Sequence, residues 1–117
     1  MTNEPIPWRP HKWVLLRYTI HNGDTLERVL VNFNSRYDTK DSWKLSEALQ
    51  SKRRHGADIF FRTYDKEIYV CRPQDQGMTE LMESKMPEIR YNASIILGAS
   101  VEIVDYTGEK NGYLGCI

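Results

Sequence analysis

The sequence predicts an α+β domain, a mainly antiparallel sheet with two helices on one face and elements in the order ββαββαβ. Two observations carry that expectation. Strand-forming runs rich in aromatic and β-branched residues are broken by turn residues at Trp13 to Phe33 and at Gly56 to Pro73. Two further stretches, Ser42 to Ser51 and the one starting at Met78, space their apolar residues for a single helix face.

The chain opens on residues 1–12, where Pro5, Pro7 and Pro10 surround Trp8 and Arg9. Fixed proline φ angles favour an extended, polyproline-like arm over helix. Residues 13–117 then form a single α+β domain, since 117 residues suffice for one core but not for two independent ones.

Trp13 to Ile20 is dense in strand formers but alternates only loosely. His21-Asn22-Gly23-Asp24 supplies the turn, and Asn-Gly suits a type I′ hairpin because both residues tolerate positive φ. Leu26 to Phe33 returns as the partner strand. After a polar loop containing Asn34, Ser35 and Asp38, either Asp38 or Asp41 caps an expected helix over 42–51. Leu45, Ala48 and Leu49 line its inner face, and Lys52, Arg53 and Arg54 followed by Gly56 close it, with cations at the negative end of the helix dipole.

Gly56 to Pro73 reads as a second hairpin, with Tyr64-Asp65-Lys66-Glu67 as its polar break. Met78, Leu81, Met82, Met86 and Ile89 make the stripe of a second helix. That helix either ends at Met86 or continues to about Asn92, with Pro87 in the first turn of the continuation. Periodicity leaves Ser94 to Leu97 unassigned. Val101 to Tyr106 alternates as a final strand, and the glycine-containing tail from Thr107 follows.

Dropping the first strand leaves βαββαβ, the order of ferredoxin-like split βαβ domains; the same elements also group as two ββα units with a closing strand. The ferredoxin-like grouping makes Phe33 and Tyr69 candidates for stacking on bases. The glycine-containing signature of RNA-recognition modules is absent, because Lys66-Glu67 precede Ile68-Tyr69-Val70.

The composition, 40% hydrophobic and 27% charged, is that of a folded globular chain. Sixteen basic residues balance sixteen acidic ones, so electrostatic recognition has to be local. Cys71 and Cys116 stand apart without metal-pair or disulfide-framework spacing and read as free thiols. No apolar run approaches bilayer length, so a soluble cytoplasmic protein that does not contact membrane is expected. Glycines stand singly at turns, which excludes a P-loop or dinucleotide fingerprint. His11, His21 and His55 have no helical ligand partner, and no nucleophile motif surrounds Cys71, so neither metal, cofactor nor catalytic residue is assigned.

The leading expectation is a small protein-binding module: an inhibitor, immunity or accessory factor, of the kind carried by phages and mobile elements, that occupies a partner protein's surface. Trp8, Arg9, Tyr37, Arg53, Arg54, Arg62 and Tyr64 are its candidate contacts, being the residue types that dominate binding hot spots. A second copy of the chain is one conceivable partner. The alternative is RNA or single-stranded DNA gripped by the basic and aromatic region 52–72, which Asp58, Asp65 and Glu67 partly offset. A small enzyme with an unrecognised site is the third reading.

Overall fold

A computed structural model describes residues 6–34 and 41–106. Strands β1 (Lys12–Ile20), β2 (Thr25–Asn34), β3 (Asp41–Leu45), β4 (Leu49–His55), β5 (Asp58–Thr63) and β6 (Ile68–Cys71) come first. A 3-10 turn at Pro73–Asp75, helix α1 (Glu80–Asn92), a wider π turn at Ala93–Leu97 and strand β7 (Ala99–Val104) follow. The strands form two antiparallel sheets, ordered β3-β2-β1-β7 and β4-β5-β6.

The α+β class therefore holds, while the expected order ββαββαβ does not: the described residues contain one α-helix rather than two, and two sheets rather than one. The four-stranded sheet is the middle layer. Val14, Leu16, Tyr18 and Leu30 pack under Met82, Met86 and Ile89 of α1, whereas Trp13, Leu15, Val29 and Val31 pack against Ile59, Phe61, Tyr69 and Cys71 of the second sheet. Because β1 and β2 are covered on both sides, neither can alternate polar with apolar, which explains the loose pattern of Trp13 to Ile20. Each fully buried side chain of this size contributes about 1.5–3 kcal/mol.

The expected helix over 42–51 is instead the passage from one sheet to the other. β3 ends at Leu45, which packs in the α1 core, and β4 begins at Leu49, which packs in the inter-sheet core. Between them buried Ser46 takes the place of a strand partner for Val29. Its N–H donates to the Val29 carbonyl at 2.9 Å and its Oγ accepts from the Val29 N–H at 2.9 Å. The i, i+3, i+4 spacing of Leu45, Ala48 and Leu49 thus serves two cores. Helix propensity is a weak preference, and these tertiary contacts override it.

The two hairpins differ from the expected ones in their turns. At Asn22-Gly23 only Gly23 has positive φ. The Gly23 N–H donates to Ile20 at 2.7 Å and the Asn22 Oδ1 accepts from the Asp24 N–H at 2.9 Å, so the loop has three residues rather than a type I′ pair. Gly56, expected to stop a helix, has φ +62 and forms with Ala57 the two-residue turn joining β4 to β5. Glycine first in such a pair is the type II′ signature.

Thr79 starts α1, its Oγ1 accepting from the Met82 N–H at 3.2 Å and donating to Oδ1 of buried Asn32 at 2.8 Å. The helix runs through exposed Pro87 without a break in assignment. The π turn then closes at Gly98, whose N–H donates to Ser94 at 3.1 Å with φ +60.

Candidate functional site: the outer face of the three-stranded sheet

Strand alternation divides the basic run at residues 52–54 between two faces. Lys52 and Arg54 lie opposite Phe61 and Ile59, whose side chains point into the inter-sheet core. Arg53 lies opposite Phe60, and Ser51 opposite Arg62, on the other face. That outer face carries a shallow hollow of ≈ 720 Å³ lined by Arg53, His55, Phe60, Arg62 and Ile68, together with Gln50 and Ser51. The Phe60 ring meets the His55 ring edge-on at 5.9 Å. Of the two adjacent phenylalanines, Phe61 belongs to the core and Phe60 to the hollow.

Arg53 and Arg62, the cations lining this hollow, have no carboxylate partner among the described residues. Lys52 reaches Glu27 Oε1 at 2.6 Å and lies over the Tyr106 ring, so its charge is used between the sheets. Asp65 accepts from the Thr63 hydroxyl, while Glu67 accepts from the Tyr69 hydroxyl at 2.9 Å and pairs with Lys44 at 3.7 Å. Thr63 and Tyr69 are both buried, so these bonds engage the hairpin's two turn carboxylates on the side away from the hollow. Among the described residues Arg53, Arg54 and Arg62 form no ion pair.

Across the sheet, Phe60 neighbours Val70. Val70 lines a second hollow of ≈ 260 Å³ on the same face with Arg9, Arg72, Asp58 and Asp75. Arg72 is bound to Asp75 at 3.0 Å, and that hydrogen bond and charge push its pKa up. Asp58 and Asp75 are acidic residues of this face, and both sit at the Arg9 end.

Of the residues singled out from sequence, Arg9, Arg53 and Arg62 share the outer face. Tyr64 stands at the hairpin tip, 65% exposed. Arg54 projects to the other side by alternation. Trp8 lies along the free edge of β6, its N–H donating to Ile68 and its carbonyl accepting from Val70, each at 2.8 Å. Its ring packs on Phe33 and Tyr69 under Lys44, leaving 38% exposed. Tyr37 lies outside the described residues, as does Cys116.

Sequence reasoning missed Gln50, His55, Phe60 and Ile68. Recognising residues 49–55 as a strand would have paired His55 and Arg53 with the outer face of β5, and the Gly56-Ala57 pair was the signal. Also unassigned was a groove of ≈ 420 Å³ between α1 and β3, lined by Trp43, Leu45, Ile89, Ile96 and Leu97 among others. Its counterpart in sequence is the aperiodic run Ser94 to Leu97.

Cys71 is fully buried between the sheets. Burial, then the Asp75 and Asp58 carboxylates, push its thiol far up, so it persists as a protonated core residue and not as a thiolate nucleophile. Among the described residues no helix is long and apolar enough to cross a membrane. No protein-family model, curated protein sequence or solved structure matches the chain.

Proposed function

We propose that this chain is a small protein-binding module working in the cytoplasm. It occupies an acidic patch on a partner protein in the manner of an inhibitor, immunity or accessory factor, such as a phage or mobile element encodes. The observation that supports this reading is the placement of Arg53 and Arg62 around Phe60 with no ion-pair partner among the described residues. Arginine and aromatic side chains on an open surface are the anchors that most often dominate protein interfaces, and facing carboxylates would add specificity and association rate. The chain's zero net charge agrees with recognition through one local patch.

The test is affinity capture from the native cell after nuclease treatment, comparing wild type with the Arg53→Glu/Arg62→Glu double variant. The expected result is a stoichiometric protein partner held by the wild type and lost by the variant. Equal capture by both would reject this face.

A second reading, single-stranded RNA or DNA, draws on the same trio, since Phe60 between two guanidiniums resembles a stacking platform beside phosphate contacts. With only two such contacts the logarithm of affinity would fall against log salt with a slope of about −1.4. Anisotropy titration of labelled single strands at several salt concentrations measures that slope, and absence of binding at low salt removes this reading.

A further inference from the structure

We infer that the partner adds an extended acidic strand to the free edge of β4; this rests on the outer-face reading above and specifies how that face is used. β4 is an edge of the three-stranded sheet, and its residues from Gln50 to His55 are all exposed. His55 and Asp58 flank the two-residue turn and so exchange hydrogen bonds, as do Arg53 and Phe60 next along the ladder. Alternation then directs the N–H and C=O groups of Lys52 and Arg54 away from β5. Among the described residues no hydrogen bond from another element reaches them.

The other edges are occupied or short. Trp8 hydrogen-bonds along β6. Arg90 donates from its guanidinium to the Val101 carbonyl and so occupies one pairing position of the six-residue β7. β3 offers five residues, with Lys44 engaged by Glu67. Of the described edges, β4 is the long one left open.

Charge selects the occupant. Charged side chains on an edge ordinarily discourage pairing. Here Arg53 and Arg54 would stand against their own kind if a second copy of β4 docked, so a homodimer through this edge is disfavoured. A strand with carboxylates meets the opposite condition. Side chains two residues apart on an added strand lie about 6.6 Å apart on one face. Glutamates at alternate positions would stand beside Arg53 and beside Ser51, the second facing Arg62 across Ser51. Main-chain bonds supply affinity in strand addition and the side chains supply the choice of partner.

The experiment uses the full chain with a synthetic peptide alternating glutamate with threonine, the same peptide N-methylated at alternate backbone nitrogens, and poly-glutamate. Expected are binding of the unmethylated peptide, at least about tenfold weaker binding after methylation in the register that removes the pairing donors, and slowed amide exchange at Lys52 and Arg54. If the peptide binds and Arg53→Glu abolishes binding, but methylation and exchange show no effect, strand addition is overturned while the acidic-partner face survives. If neither peptide nor poly-glutamate binds, both fall.

Discussion

Trp13 Nε1 donates a 2.7 Å hydrogen bond to the carbonyl of Arg72, fastening β1 to the chain just beyond β6. The indole is fully buried and packs on Phe61 with ring centres 5.4 Å apart. It therefore joins the two sheets by both packing and polarity. Trp13→Phe removes ring volume and leaves the Arg72 carbonyl without this donor, and should lower the unfolding free energy by about 2 kcal/mol. Urea unfolding read by circular dichroism measures it, and a change below the scatter of surface variants would deny Trp13 this role.

Arg53→Glu and Arg62→Glu should leave the urea midpoint almost unchanged, within about 0.5 kcal/mol, because neither side chain has a described partner to lose. Lys52→Glu reverses the charge facing Glu27 at 2.6 Å and should be the more destabilising. Neighbours in sequence would thus differ in kind, one affecting binding and the other stability.

Stability should decline in alkali. Burial raises the pKa of Cys71, Tyr69 and Tyr18 in the folded chain. Above about pH 9 the unfolded chain begins to release protons that the native state retains, so stability present at neutral pH is lost as pH rises. Comparing urea midpoints at about pH 7 and pH 10 tests this. Cys71→Ala should be less stable at neutral pH yet show a shallower alkaline decline.

Arg90→Ala should expose the Val101 carbonyl on the outer side of β7, next to partly exposed Ile103. The expected cost is about 1 kcal/mol, accompanied by concentration-dependent self-association in sedimentation velocity. A variant that stays monomeric at high concentration would show that Arg90 does not guard this edge.

Gly56→Ala places a side chain at φ +62 in the β4–β5 turn, where an added Cβ would meet nothing within 4 Å. The penalty is therefore conformational, about 1–2 kcal/mol, and Gly56→Asn should recover part of it. An equal loss with asparagine would indicate a different turn geometry.

Local chemistry made the β1–β2 and β5–β6 hairpins and the helix stripe from Met82 to Ile89 legible in the sequence. What it hid was set by distant partners. Leu45 and Leu49 face two cores that exist only once α1 and the second sheet have assembled, and Ser46 gains its place from Val29. Arg53 and Arg62 were visible as candidate contacts, but their meeting around Phe60 depended on reading β4 as a strand. The neutralisation of Lys52 by Glu27 and of Glu67 by Lys44 crosses between sheets, beyond the reach of any sequence window.

The passage at Ser46 has one more consequence. The chain leaves the four-stranded sheet there, builds all of β4, β5 and β6, and returns to that sheet only with β7, which pairs with β1 from Leu15 opposite Val104 to Ile20 opposite Ala99. Most of the outer face is thus encoded in one uninterrupted stretch, while the clasp between β1 and β7 is written elsewhere. Mutation within that stretch can retune what the module recognises at outward positions such as 51, 53, 60, 62 and 68, and the scaffold that displays them is inherited intact.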